Sequence, residues 1–180
     1  MQTHIKLEQV SPLVNQHYLP FVYSLFEYYQ NTILNDWSPS MSDPVAAWDF
    51  LLGYISTLAP WFFVVTDDSE PVGILFAENW VQHGDKIYSC EIGGLPKRKV
   101  KNSNISLGVS KLLEEIFEQT SCYAVRTIFE DTNRASRMFL RRMKFRISGG
   151  WPAHCIRNGQ ECTAMIGTIT RPEFEASLNG

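Results

Sequence analysis

Residues 123–145, YAVRTIFEDTNRASRMFLRRMKF, contain the most informative pattern in the chain. The segment begins with a run rich in β-branched and aromatic residues and then breaks at the polar positions 130–132. From Asn133 onward, apolar and basic residues recur with helical spacing. The pattern predicts a strand over 123–129 and a helix over 133–143. Because the first N–H groups of a helix lack intrahelical partners, this junction suits an anionic small molecule.

The rest of the chain predicts an alternation of strands and helices. A cap at Ser42 or Asp43 followed by Pro44 marks the start of one helix, and Asn158-Gly159 is typical of a hairpin turn. The predicted strands are 4–10, 61–66, 71–80, 86–95, 123–129, a strand beginning at 145–148, and 161–169; the predicted helices are 19–34, 44–58, 105–119 and 133–143. This order predicts one α+β domain over 1–180, with helices on both faces of a mixed, mostly antiparallel sheet of about seven strands.

Composition and charge narrow the function. The net charge of -3 over 180 residues argues against a general nucleic-acid binder. Basic residues nevertheless cluster at 97–101 and 134–146, which suits a polyphosphate ligand or, alternatively, a solvated loop and helix face. The four cysteines show no CxxC spacing, the N-terminus shows no secretory signal and no apolar run reaches membrane-spanning length. We therefore expect reduced thiols, a cytoplasmic location and no membrane or metal partner.

The block at 133–145 and the element order together resemble the GNAT superfamily of N-acetyltransferases, over essentially the whole chain. The corresponding segment of that family reads approximately Asn-x-x-Ala-x-x-Leu/Phe-Tyr-x-x-x-Gly-Phe. The matching positions here are Asn133, Ser136 in place of Ala, Phe139 and Phe145; Leu140 stands in place of Tyr and Lys144 in place of Gly. The resemblance implies an acyl-CoA N-acyltransferase-like fold in α/β/α layers. It also implies acetyl-CoA as co-substrate and direct transfer of an acetyl or short acyl group to an amine.

The resemblance also implies where the cofactor binds. In the family, the fourth strand pairs with pantetheine, and a Gln/Arg-x-x-Gly-x-Gly/Ala loop at the next helix holds the pyrophosphate. That loop aligns here either with 104–109 or with Gly108 as its first glycine and Ser110 as its second small residue. The implied cofactor-binding residues are Gly93, Gly94, Leu95, Lys97, Lys99, Ser106, Leu107, Gly108, Val109, Ser110, Asn133, Ser136, Arg137 and Phe139. The alternative for Gly93 and Gly94 is a bulge or bend in the strand.

Glu91 is the candidate general base, since it is the carboxylate of the fourth strand. The alternative is a surface charge, if that face of the strand is solvated. The family's acidic Tyr is absent because Leu140 cannot donate a proton; Tyr123 is a substitute donor or, alternatively, a core residue. Cys90 fits a buried strand cysteine better than a nucleophile.

The sequence leaves the function between an enzyme and a binding module. In the first case, the chain acylates a small-molecule or protein amine, as a monomer or homodimer and without nucleic acid. In the second, it is a catalytically inactive acetyltransferase-like scaffold, as the missing Tyr at 140, the Lys at 144 and the degenerate glycine loop would allow. A nucleic-acid binder using the arginines of 134–142 is a third alternative, disfavoured by the overall charge.

Overall fold

The computed structural model describes residues 4–29, 43–157 and 160–178. Within them lie seven strands and five α-helices, in the predicted α+β order. The strands are β1 (Ile5–Gln9), β2 (Phe62–Asp67), β3 (Glu70–His83), β4 (Lys86–Pro96), β5 (Ala124–Glu130), β6 (Arg146–Arg157) and β7 (Gln160–Thr170). The helices are α1 (Leu19–Tyr29), α2 (Pro44–Leu58), α3 (Asn102–Gln119), α4 (Arg134–Arg142) and α5 (Arg171–Leu178), with a short 3-10 turn at Gln16–Tyr18.

The seven strands form one sheet in the order β1-β2-β3-β4-β5-β7-β6. Antiparallel ladders join β1 to β2, β2 to β3, β5 to β7 and β6 to β7. The ladder between β4 and β5 is parallel, because α3 carries the chain back before β5 begins. The mixed, mostly antiparallel sheet predicted from the sequence is therefore confirmed, with β1 at an edge as its polar–apolar alternation indicates.

The chain divides into two compact units. Unit 1 comprises Met1–Ala77 and Gly94–Val109. Its core packs the apolar faces of α1 and α2 against residues of β2 and β3; Val22, Phe26, Ile55, Phe62 and Ile74 are almost fully buried there. The Asp43 carboxylate caps α2 by accepting from the N–H groups of Val45 and Ala46, so it is one of the two capping residues between which the sequence left the choice open.

Unit 2 comprises Glu78–Gly93 and Ser110–Gly180. Its core contains the later turns of α3 and the inward face of β5, with Leu112, Leu113, Ile116 and Val125 fully buried. Leu140 of α4 is buried too, and its Cδ1 lies close to the position that a Cβ on Gly167 would occupy. The single domain expected over 1–180 stays a prediction.

The structure corrects the sequence predictions at two places. Helix α3 begins at Asn102, three residues before the predicted start at Ile105. Helix α5 was not predicted, because the eight residues of 171–178 carry too few apolar positions to show a helical stripe. The Asn158-Gly159 turn and the predicted helix end at 30–34 lie outside the described residues.

Candidate functional site

Strands β4 and β5 part within unit 2. Their parallel ladder joins Ser89 to Ala124, Cys90 to Val125 and Glu91 to Arg126. This last pair is the end of the ladder. Beyond it, β5 continues to Glu130 paired with β7, while β4 continues through Ile92 and Gly93. In the described residues of unit 2, these two positions of β4 therefore have no ladder to β5.

Glu91 lies at the point where the strands part. Its side chain is only 17% exposed, so it is not the solvated surface charge that the sequence left as an alternative. One carboxylate oxygen forms an ion pair with Nη2 of Arg126 at 3.4 Å, and the other accepts a hydrogen bond from Nδ2 of Asn79 at 2.9 Å. The site thus holds a half-buried carboxylate in a defined orientation.

Cys90 points away from Glu91 and is fully buried, as the sequence predicts for a strand cysteine. Its Sγ lies 4.0 Å from Sγ of Cys122, another fully buried thiol. The contact with the Cys122 thiol, together with burial, raises the pKa of Cys90 far above its ordinary value. A protonated, buried thiol is a poor nucleophile.

Tyr123 is not in the core. It is 56% exposed, and its N–H donates to the carbonyl of Tyr88 at 3.2 Å. The expectation that it packs in the core is therefore wrong, because it precedes the first residue of β5 and lies outside the buried ladder.

In unit 1, the end of β4 is held tightly against β3. The N–H of Lys97 donates to the carbonyl of Val72 at 2.8 Å, and the Tyr29 hydroxyl donates to the carbonyl of Pro96 at 2.7 Å. A Cβ on Gly94 would lie 2.6 Å from Cδ2 of Leu75 and 2.7 Å from the carbonyl oxygen of Ile74. The absence of a side chain at Gly94 is thus required by packing inside the protein. Leu95 is buried in the same unit.

Positions 106–110 lie inside α3, not in a loop that precedes it. The positions that align with the family's pyrophosphate loop are therefore helical, as the predicted helix over 105–119 implies, and they begin one turn beyond the observed helix start. Gly108 faces the sheet of unit 1, since a Cβ there would lie 3.1 Å from Val65, and Val109 is buried. Leu107 is partly exposed. Ser106 and Ser110 are half-buried, one in each unit.

The first turn of α3 is tied to the end of β2. Asn104 is almost fully buried, and its Nδ2 donates to the carboxylate of Asp67 at 2.6 Å. The preceding turn exposes Lys97 and Lys99, and Lys99 has a positive φ of 64°. These lysines are available to an anion as charge partners.

The start of α4 confirms that Asn133 opens a helix. Its side-chain oxygen accepts from the N–H of Ser136 at 3.0 Å, so Asn133 is the N-cap. Arg137 donates through Nη2 to the carbonyl of Asp131 at 3.3 Å, while its buried Nε has no hydrogen-bond partner among the described residues. Ser136 and Phe139 are half-buried on the same helix.

Two residues of this site, Asn79 and Arg126, were not predicted from the sequence. Arg126 could have been noticed as a cation inside the otherwise apolar run of β5. Asn79 carried no signal, because its contact with Glu91 depends on the positive φ of 51° that it adopts near the end of β3.

No protein-family model matches the chain, and no curated protein matches its sequence significantly. Solved structures do share its fold. RimL, a ribosomal L7/L12 alpha-N-protein acetyltransferase in complex with coenzyme A, is 13% identical with a TM-score of 0.73, covering 96% of this chain and 97% of its own. The ribosomal-protein-S5-alanine acetyltransferase of Vibrio fischeri is 13% identical with a TM-score of 0.72, covering 97% of each chain.

The spermidine N-acetyltransferase of Vibrio cholerae, in complex with CoA and spermine, is 13% identical with a TM-score of 0.74, covering 95% of this chain and 98% of its own. These neighbours define the class: the chain has the fold of the GNAT-family N-acetyltransferases, which confirms the fold predicted from the sequence. No described helix is long and apolar enough to cross a membrane. No cluster of three His, Cys, Asp or Glu side chains in the described ranges could hold a metal ion.

Proposed function

We propose that this chain is an N-acyltransferase that moves an acetyl or short acyl group from acyl-CoA to an amine by direct transfer. The observation that carries the proposal is the end of the β4–β5 ladder at Glu91 and Arg126. Past this point β4 offers backbone N–H and C=O groups to a ligand, and a half-buried carboxylate stands beside them. The fold shared with acetyltransferases solved with bound CoA supports the same conclusion.

The reaction asks little of the protein. The amine nitrogen attacks the thioester carbonyl carbon, the carbon–sulfur bond breaks, and coenzyme A leaves as a thiolate that takes up a proton. The amine gives up a proton, which Glu91 accepts directly or through a water molecule. Direct transfer agrees with the buried, protonated Cys90, because the strand offers no thiolate to form an acyl-enzyme.

The contacts to the co-substrate that the family resemblance implies stay a proposal, and they are given for each unit by itself. In unit 2 these are Gly93 on the unpaired part of β4, Ser110 on α3, and the residues at the start of α4: Asn133, Ser136, Arg137 and Phe139. In unit 1 they are Gly94 and Leu95, the exposed Lys97 and Lys99, and 106–109 of α3. In unit 1 we expect the lysines to contribute most, and in unit 2 Arg137, since charge-assisted hydrogen bonds to phosphate are the strong ones.

The acceptor class follows from the same proposal. Among the structural neighbours, one is a spermidine N-acetyltransferase solved with spermine, and others are named for the α-amine or alanine of ribosomal proteins. We therefore propose an amine acceptor that is either a polyamine-like small molecule or a protein N-terminus.

Binding tests the proposal first. Acetyl-CoA at millimolar concentration should raise the melting temperature by mass action, and titration calorimetry should give a matching dissociation constant. Turnover is then followed as coenzyme A thiol release and as a mass increase of spermine and of an alanine-initiated peptide. Glu91→Gln should lower kcat about 100-fold with acetyl-CoA affinity unchanged. Glu118→Gln, an exposed carboxylate on α3, is the matched control. An unchanged kcat in Glu91→Gln would remove Glu91 as the base.

A second candidate is a catalytically inactive scaffold, and α3 supplies the observation that favours it. The positions of the family's glycines are helical, with Leu107 and Val109 among them, and the position of its Tyr is the buried Leu140. If the chain is an inactive scaffold, millimolar acetyl-CoA should leave the melting temperature unchanged and no acyl transfer should be detected. A saturable shift with product formation would exclude it.

A further inference from the structure

We infer that Arg126 and Asn79 are positioning residues that fix the orientation of the Glu91 carboxylate. This inference rests on the proposed function, because it assigns a role within the same transfer reaction. All three residues belong to unit 2, and they come from three neighbouring strands, β3, β4 and β5.

Strand register brings Glu91 and Arg126 together. They are direct partners in the parallel ladder, so their side chains lie side by side on one face of the sheet. Their neighbours Cys90 and Val125 point to the opposite face and are fully buried. The ion pair at 3.4 Å therefore follows from backbone pairing and not from a chance meeting of two long side chains.

Asn79 is the third residue in contact around the Glu91 carboxylate, and its backbone adopts an unfavourable conformation. Its φ of 51° is in the left-handed region, which non-glycine residues rarely adopt and Asn tolerates best. In this conformation its amide donates to the Glu91 oxygen that Arg126 does not contact. Strained residues concentrate where geometry serves function, which favours a role for this contact beyond stability.

The ion pair and the hydrogen bond leave Glu91 oriented but still able to act. Each carboxylate oxygen has two lone pairs, and the Asn79 amide uses one of these four. The carboxylate is thus held against rotation, with acceptor capacity remaining for a proton from the amine. Within the described part of the chain, Glu91 is the ion-pair partner of Arg126, and the buried Nε of Arg126 has no hydrogen-bond partner. Removing Arg126 should therefore act on the reaction through Glu91.

The test is a double-mutant cycle on steady-state kinetics. Arg126→Gln and Asn79→Gly should each lower kcat roughly tenfold, with the KM for acetyl-CoA unchanged. Glycine at 79 permits the positive φ, so this variant removes only the side chain. In a Glu91→Gln background neither substitution should lower kcat further, because the carboxylate they orient is gone. Arg126→Lys should restore part of the rate, and Lys86→Gln, an exposed cation at the start of β4, is the control.

The outcomes separate this inference from the proposed function. Wild-type kcat in both single variants, or an equal further loss in the Glu91→Gln background, would overturn the positioning role while the transferase stands. A wild-type protein that transfers no acyl group to any tested amine would overturn both. Melting temperatures of all variants show whether a lost rate reflects unfolding.

Discussion

The guanidinium of Arg171 lies 5.2 Å from the centroid of the Phe117 ring and closes the C-terminal end of α3. It donates to the backbone carbonyls of Thr120 and Cys122 at 2.9 and 3.0 Å, and also to the carbonyl of Phe117. The last carbonyls of a helix lack intrahelical partners and form the negative end of its dipole. The first residue of α5 therefore caps a helix that ended some fifty residues earlier in the chain.

Arg171→Met should lower the free energy of unfolding by about 3 kcal/mol, because several partly buried carbonyls lose a charged donor together. Urea denaturation followed by circular dichroism measures the change. The free energy of unfolding of Arg171→Lys should lie between those of the parent and Arg171→Met, since an ammonium keeps the charge but cannot reach all the carbonyls at once. The exposed Arg142→Met is the control. A loss no larger than that of the control would show that α3 does not need this cap.

The parts of the fold that could be predicted from the sequence are those formed by local interactions, and the parts that could not depend on tertiary contacts. Strand alternation and helix caps are local, so the sequence predicted Asn133 as one cap and either Ser42 or Asp43 as the other. The start of α3 was placed three residues late, because the polar run 97–104 has no apolar stripe and its buried Asn104 is held by Asp67. Helix α5 was missed for the same reason, since contacts such as that of Arg171 with the end of α3 are tertiary.

The same distinction between local and tertiary interactions decides which residues of the candidate site could be predicted from the sequence. Glu91 was identified because a carboxylate in an apolar strand is visible in the sequence. Arg126 and Asn79 were not, because their contacts with it depend on strand register and on a left-handed backbone. Gly94 was expected from the family resemblance to admit a ligand, whereas its closest neighbours are Leu75 and Ile74. A glycine in a sequence does not reveal which group approaches it.

Gly94→Ala should cost about 2 kcal/mol of stability, because the new methyl group would overlap a backbone carbonyl that cannot move aside cheaply. Gly53 offers the opposite case in the same unit: it lies in α2, and a Cβ there meets nothing within 4 Å. Gly53→Ala should therefore stabilise the protein by about 1 kcal/mol through helix propensity. Denaturant unfolding of the two variants measures the expected loss of stability in Gly94→Ala and the expected gain in Gly53→Ala. A Gly94→Ala protein as stable as the parent would mean that β3 and β4 are less closely packed than described.

Asn133 allows its capping role and its proposed ligand role to be separated. Asn133→Ala removes the oxygen that accepts from Ser136 and should cost about 1 kcal/mol of stability. Asn133→Asp keeps a capping oxygen, and its charge suits the helix N-terminus, so stability should be retained. It loses the amide donor and repels phosphate, so acetyl-CoA affinity should fall about tenfold, equal to about 1.4 kcal/mol. Calorimetric titration measures the affinity; an Asp variant that binds acetyl-CoA as tightly as the parent would remove Asn133 from the ligand site.

Glu173 should make stability fall in acid. Its carboxylate accepts hydrogen bonds from the hydroxyl and the N–H of Thr170 at 2.7 and 2.8 Å, and it pairs with Arg146 at 2.6 Å. These contacts, with the Thr170 hydroxyl first, lower the pKa of Glu173 below its ordinary value of 4.5. A carboxyl group whose pKa is lower in the folded protein binds fewer protons there than in the unfolded chain. Its stabilising contribution is therefore complete above pH 4.5 and is lost as the pH falls through the folded pKa.

Glu173→Gln should lower the melting temperature at pH 7 and flatten its fall below pH 4.5. The effect should be modest, because the side chain is more than a third exposed and solvent screens the ion pair. Glu118→Gln, at an exposed position of α3, should leave the pH profile parallel to that of the parent. Scanning calorimetry at closely spaced pH values compares the three proteins. Parallel curves for the Glu173 variant and the parent would show that the contacts with Thr170 do not hold in solution.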